Sequence, residues 1–153
     1  MLLALKRLAY RVASPVVAVL WAVLGVRRDG AKCMLMNGED VLLVRHTYGS
    51  RRHWDLPGGF VGRGEEPILA ACREMEEELG LVLEPCQLAA VGRRALRIGR
   101  GRGTVHYFRV DLDDRRVRAD PVELAEVRWF AREAPARPVG AHVEEALRWP
   151  EPR

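Results

Sequence analysis

Three glutamates, Glu74, Glu77 and Glu78, stand in the run 59–81, GFVGRGEEPILAACREMEEELGL. In a helix, the offsets i, i+3 and i+4 put their carboxylates on one face. Like charges crowded this way repel, so either solvent screens them or a cation neutralises them. A hard divalent ion such as Mg²⁺ takes oxygen ligands of this kind and bridges them to substrate phosphates. The chemistry indicated is work on a phosphate-bearing molecule. A solvated acidic helix is the competing reading of three glutamates by themselves.

The elements around them must hold such a cluster. Ile68, Cys72, Met75 and Leu79 recur at helical spacing and predict an apolar stripe facing a core. Ala70 and Ala71 favour the helix, and Pro67 fits its first turn. Gly80 can close it in the left-handed conformation. Upstream, Pro57, Gly58, Gly59, Gly62 and Gly64 predict a loop whose backbone can approach a ligand closely.

The whole run resembles the Nudix box, the signature of Nudix hydrolases. Gly59, Glu65, Arg73, Glu74, Met75, Glu77, Glu78, Gly80 and Leu81 fill its fixed positions, and WDLPG at 54–58 is similar to the family's lead-in. More loosely, the likeness extends from about residue 30 to 149. The resemblance implies an α/β fold, a Nudix-type α/β/α sandwich with a mixed β-sheet. It also implies divalent-metal-dependent hydrolysis of a nucleoside diphosphate linked to another moiety, with Mg²⁺ or Mn²⁺ as cofactor and activated water as nucleophile. On that resemblance, Glu74, Glu77, Glu78 and the Gly59 carbonyl would be metal ligands. Glu77 or Glu78 would orient or deprotonate the water, and Arg73 would hold a box glutamate in place. Glu65 and Gly80 would support the box. The family commonly adds a base from a later loop. Glu123 and Glu126 are the nearest candidates, with surface charge flanking a strand as the other reading of each. Metal ions neutralise an anionic diphosphate and activate water, leaving positioning and electrostatics to the protein. The rival reading is a noncatalytic Nudix-like nucleotide- or RNA-binding module, which has no need of three adjacent carboxylates.

A chain of 153 residues suits one domain with a real core. Its net charge of +4 is carried almost wholly by arginine, with Lys6 and Lys32 as the lysines. Arginine excess fits phosphate-rich ligands, through its planar fork, and equally fits a composition bias. Cys33, Cys72 and Cys86 show no CxxC spacing, so neither a zinc site nor a disulfide framework follows. Cys72 on the apolar stripe reads as a buried free thiol.

Strands are expected over 31–36 and 41–45, around a turn at Asn37 and Gly38. The segment 46–54, HTYGSRRHW, reads as an exposed loop. From it and its flank, Arg45, Arg51, Arg52, His46 and His53 could reach phosphates, and Tyr48 or Trp54 could stack on a base. A surface or packing role is the competing, and favoured, reading of each. Segments 87–97 and 104–112 read as a hairpin with a flexible turn at 98–103. A short strand at 127–130, a linker at 135–138 and a helix at 139–149 complete the order. Arg93, Arg94, Arg97, Arg100 and Arg102 form a basic patch near the hairpin turn. No helix-turn-helix or RNA-binding signature accompanies them, so the patch reads as a solvated turn rather than a specific nucleic-acid site.

Residues 1–26 form an apolar and basic segment, expected to be helical, ahead of the Nudix-like domain at 27–153. The uncharged run 12–26 would span roughly 22 Å as a helix, short of a roughly 30 Å hydrocarbon core. Packing on the domain, packing on a second subunit in a homodimer, attachment to a membrane surface, and export or spanning are its candidate roles. The expected location is cytoplasmic, either free or peripheral to a membrane. The expected ligand is a small nucleotide-type molecule. The upstream and downstream marks of the coenzyme A and NADH hydrolases are absent, and Arg97 stands where many ADP-ribose pyrophosphatases carry proline.

Overall fold

The computed structural model describes residue 23 and residues 27–48, 52–98 and 100–149. The expected N-terminal helical segment, residue 23 apart, and candidate Arg51 lie outside the described residues. The described chain runs β1 (Gly30–Asn37), β2 (Asp40–His46), α1 (Pro67–Leu79), a 3-10 turn (Pro85–Gln87), β3 (Ala89–Ile98), β4 (Gly101–Asp111), β5 (Leu124–Ala131) and α2 (Ala141–Leu147). The sheet has five strands in the order β3-β4-β1-β2-β5. β1 and β4 are parallel and the other pairs antiparallel, so the sheet is mixed.

Strand side chains alternate between faces, and both faces are covered. Ala31, Cys33 and Leu35 of β1, with Leu42 and Val44 of β2, pack against Ala70, Ala71, Met75 and Leu79 of α1. Met34, Met36, Val41 and Leu43 point the other way, to Val143, Ala146 and Leu147 of α2. One helix on each face makes the expected α/β/α sandwich. On α1 the fully buried contacts include Ala70 and Ala71, while Ile68 and Cys72 sit at the margin of the core. Small side chains let this helix lie close to the sheet. Cys33, rather than Cys72, is the buried thiol.

A split in the sheet creates the space for a site. β1 and β2 pair at their turn end, Met36 with Val41 and Asn37 with Asp40. Beyond it they part, and segment 54–60 enters the gap as a wedge. Asp55 exchanges two backbone hydrogen bonds of 2.9 Å with Val44 of β2. On the other side, the Cys33 N–H donates to the Pro57 carbonyl and the Ala31 N–H to the Gly59 carbonyl, both at 2.9 Å. Gly58 has φ 126°, and a Cβ there would stand 2.2 Å from the Ala31 carbonyl oxygen. Only glycine lets the backbone pass this close.

The structure corrects several expected boundaries. His46 belongs to β2, and Trp54 is 5% exposed, so 46–54 is not an exposed loop throughout. Trp54 packs edge-on against Phe130, and the Arg45 guanidinium lies 4.9 Å from the centre of its ring. That leaves no open ring face for stacking on a base. The flexible turn expected at 98–103 is mostly strand, because Leu96 pairs with Gly103, Arg97 with Arg102 and Ile98 with Gly101. Gly103 marks a close approach, since a Cβ there would meet the Arg28 carbonyl oxygen at 1.6 Å. β5 starts at Leu124 and takes in Glu126, and Val139 bridges to Trp54 ahead of α2. Among the described residues, no helix is long and apolar enough to cross a membrane.

Candidate active site

α1 begins with Pro67 in its first turn, where proline's fixed φ and missing N–H cost nothing. It ends at Gly80, whose N–H donates to the Glu76 carbonyl at 3.0 Å and whose φ of 64° turns the Leu81 N–H back to the Met75 carbonyl at 3.1 Å. The entry loop is tied to the helix by one arginine. Arg73 grips Glu65 with two bonds, Nε to Oε1 at 3.0 Å and Nη2 to Oε2 at 3.1 Å. It also donates to Glu74 at 2.8 Å, Glu77 at 3.2 Å and the Phe60 carbonyl at 3.0 Å. Glu65 in turn accepts the Gly62 N–H at 2.6 Å. These charge-assisted bonds hold the Glu65 carboxyl below its usual range and the Arg73 guanidinium above its own.

The three glutamates occupy different environments. The Glu77 side chain is 56% exposed and Glu74's is 12% exposed. Glu78 is buried, and Oε2 accepts the Gly58 N–H of the wedge at 2.8 Å. Burial pushes its carboxyl up to about 8, against the pull of Lys32 and the Gly58 N–H. Burial also raises Glu74, with Arg73 opposing and Glu77 and Glu123 adding to the rise. Glu74 lies against Gly59, where a Cβ would come within 2.6 Å of its carboxylate. Gly59 and Glu74 are thus in close approach, while the Gly59 carbonyl accepts the Ala31 N–H of β1.

Lys32 supports the wedge from within. Its Nζ donates to Asp55 Oδ2 at 3.1 Å and to the carbonyls of Leu56 and Gly58 at 2.9 and 3.0 Å. Burial works against the ammonium, but Asp55, Glu78 and Glu74 outweigh it and raise its pKa. His46 lies beyond Glu78, with Nδ1 3.9 Å from Oε1. Burial and Lys32 lower its pKa to about 4, so it is neutral at pH 7 and the contact is no salt bridge. Its buried Nδ1 has no hydrogen-bond partner among the described residues. A second strut comes from 118–123. The N–H groups of Arg118 and Asp120 cap the Leu79 and Glu78 carbonyls at 2.8 Å each. Thr47 fastens the same segment, donating Oγ1 to the Val122 carbonyl at 2.6 Å and its N–H to the Glu123 carbonyl at 2.8 Å. Glu123 is thereby placed where its charge is felt by Glu74 and Glu78.

This donor set fits a hard divalent cation: carboxylates, a backbone carbonyl and an orphaned buried nitrogen nearby. Among the described residues, no three carboxylate, histidine or cysteine side chains already converge as a cage. Arg73 holds Glu74 and Glu77 instead.

A family model described as the NUDIX domain matches residues 26–149. The chain belongs to the Nudix family. It is a Nudix hydrolase, an enzyme of pyrophosphate-bond hydrolysis. An RNA pyrophosphohydrolase of Rhodospirillum rubrum is 30% identical over 128 residues, covering 80% of this chain and 71% of the relative. An ADP-ribose pyrophosphatase of Mycobacterium tuberculosis is 58% identical over 42 residues, 27% of this chain and 20% of the relative. Among solved structures, a MutT NUDIX hydrolase from Burkholderia pseudomallei superposes with a TM-score of 0.70 at 24% identity. It covers 79% of this chain and 95% of its own. The MutT protein of Methanosarcina mazei gives a TM-score of 0.67 at 21% identity, over 80% and 91% of the two chains.

Within this Nudix site, the outlying candidates divide. Glu126 is paired with Arg45 and lies 3.4 Å from Arg128, on β5. Arg45 is held between Glu126 and the Trp54 ring. Arg52 is exposed on the connection leading to the wedge. Sequence reasoning did not single out Lys32 or Asp55. Their one signal was a lone lysine in an apolar strand and an aspartate beside the box lead-in.

Proposed function

We propose that this Nudix hydrolase cleaves a nucleoside diphosphate linked to another moiety, with Mg²⁺ or Mn²⁺ held by Glu74, Glu77, Glu78 and the Gly59 carbonyl. The observation that carries the reading is the buried Glu78 carboxyl, set between the wedge and Glu74 with its pKa raised to about 8. A carboxyl in this position gains its charge when a cation arrives to balance it. When bound, the divalent ion supplies charge neutralisation of the diphosphate and acidifies water. The chain's own residues do the rest. Lys32 fixes the wedge, and Gly58 orients Glu78. Arg73 fastens the entry loop and holds Glu74. Glu77, the most exposed of the three, can turn from Arg73 toward substrate. Glu123 is the better-placed base to take the water's proton, because its charge acts on both Glu74 and Glu78.

The relatives' names offer RNA and ADP-ribose as candidate substrate classes. The same proposal sets the enzyme in the cytoplasm, with 1–26 as its contact to a membrane surface or to a second copy. Chelation should abolish hydrolysis across a panel of nucleoside triphosphates, nucleotide sugars, ADP-ribose and 5′-triphosphorylated RNA, and Mg²⁺ or Mn²⁺ should restore it. Glu77→Gln should lower kcat by about 100-fold or more while leaving the thermal midpoint in place. Near-normal turnover of that variant in a metal titration would sink the assignment.

A further inference from the structure

The arginines expected on a loose turn stand on paired strands. Arg97 and Arg102 are direct cross-strand partners, and Arg93 is opposite His106. Paired residues share a face, as do alternate residues along a strand. Arg93, Arg97, Arg102, Thr104 and His106 therefore line one face of the β3–β4 ribbon. It is the face of Phe108 and Val110, which pack in the core cluster of α1. That is the side of the sheet on which the box glutamates lie. The box loop borders the ribbon through Asp29, whose carbonyl accepts the Val61 N–H at 2.9 Å and whose Oδ1 accepts the Thr104 N–H at 2.8 Å.

The two faces of the ribbon are charged differently. On the α2 side, Arg94 is matched by Glu145 at 2.9 Å. On the α1 side, Arg93, Arg97 and Arg102 are exposed, and no carboxylate pairs with them among the described residues. Opposed like charges destabilise a ribbon unless an anion lies across them. Arg93 and Arg97 are about 13 Å apart along the strand, longer than one diphosphate and suited to successive phosphates of a polynucleotide.

We propose that this face is a binding track for single-stranded RNA, leading its 5′ end to the glutamates. The proposal deepens the hydrolase reading and rests on it for the reaction. RNA is the polynucleotide that retains a 5′ phosphoanhydride from the nucleoside triphosphate that starts it. In the step, water's oxygen bonds to phosphorus, the bridging P–O bond breaks, the outer phosphates leave with the bridging oxygen, and a carboxylate takes the proton.

The test uses the full chain and a labelled 5′-monophosphorylated RNA of about ten nucleotides, which binds without needing to react. Arg97→Ala/Arg102→Ala should weaken binding at least about tenfold and flatten the slope of log K against log salt by about 1.4. Arg97→Lys/Arg102→Lys, which keeps both charges, should bind nearly as the parent does. With 5′-triphosphorylated RNA the alanine pair should raise KM and leave kcat unchanged, and mononucleotide hydrolysis should not move. Equal affinity and salt slope in the parent and the alanine pair would overturn the track, as would arginine-dependent binding of anionic phospholipid vesicles without any for RNA. Arginine-dependent RNA binding with no hydrolysis of any phosphoanhydride would support the track and sink the hydrolase reading. Hydrolysis without arginine-dependent RNA binding would overturn the track alone.

Discussion

Lys32→Met deletes an ammonium and keeps an apolar stem of similar length, so it isolates the three bonds that pin the wedge. The acceptors left behind are unlike. Asp55 keeps the Leu56 N–H on Oδ1 at 2.7 Å, and its side chain is 23% exposed, so water replaces part of the loss. The carbonyls of Leu56 and Gly58 lose a charged donor inside the split between β1 and β2. Breaking a buried ion pair by removing one partner costs about 3–5 kcal/mol. The exposure of Asp55 places this case at the low end, about 3 kcal/mol. With a urea slope of about 2 kcal/mol/M, the midpoint should fall by about 1.5 M at unchanged slope. Gly58 and Gly59 should lose their registration on Glu78 and Glu74, and loss of positioning on this scale lowers kcat by about 10–100-fold. Urea unfolding followed by tryptophan fluorescence, with kcat measured on the folded variant, reads both effects. A second substitution, Asp55→Asn, should recover part of the midpoint because it removes the stranded charge. A Lys32→Met midpoint within about 0.3 M of the parent, with normal turnover, would refute the claim that this lysine holds the site together.

The metal-free enzyme should lose stability as pH rises through the neutral range. Glu78 is raised to about 8 in the fold, above its unfolded value of about 4.3, so its contribution is complete below that unfolded value and vanishes as pH passes the folded one. His46 is lowered to about 4 from 6.5 and acts in the opposite sense, losing stability as pH falls from 6.5 toward 4. Above pH 6.5 His46 no longer opposes it, and in chelator Glu78 should contribute a slope of at most about 1.4 kcal/mol per pH unit. Urea midpoints should show that slope in the parent and lose it in Glu78→Gln, and an equal slope in both would contradict the burial argument. For the base, Glu123→Gln should cut kcat by about 100-fold or more, and Glu126→Gln should change it by less than about tenfold. The reverse order in a steady-state assay would reassign the proton acceptor.

The helix, its glycine stop and the strand pair around Gly38 were legible in the sequence because each is fixed by local chemistry. Periodicity, a left-handed closure and a tight turn are all written within a few residues. The sandwich and the box followed from a resemblance with many fixed offsets. The unequal environments of the glutamates were not legible. Glu77 and Glu78 are neighbours with the same side chain, and what separates them is the wedge, which arrives from some twenty positions upstream. Lys32 looked like composition alone because its acceptors lie on that same distant segment. The hairpin turn was misjudged for a related reason. Gly101 and Gly103 read as flexible, yet Gly103 is present to let the Arg28 carbonyl pass, a tertiary contact with no local mark.

The same geometry explains why the box needs its arginine as well as its acids. Two like-charged side chains one turn apart on a helix repel, and here a third lies beside them with little water to screen it. Arg73 reaches Glu74 and Glu77 together with Glu65 and the Phe60 carbonyl, so one guanidinium both offsets the repulsion and locks the loop that carries Gly59. Glu78 is beyond its reach and is instead held protonated by burial near neutral pH. The cluster thus survives without a cation by two different means, a salt-bridge bracket outside and a proton inside. A divalent ion held by Glu77 and Glu78, as proposed, would have to displace both, taking the place of the Glu78 proton and drawing Glu77 away from Arg73. Metal uptake near pH 7 should therefore release close to one proton, visible as a buffer-dependent binding enthalpy. Uptake with no such dependence would mean that Glu78 is already ionised and that its burial does not set the state of the site.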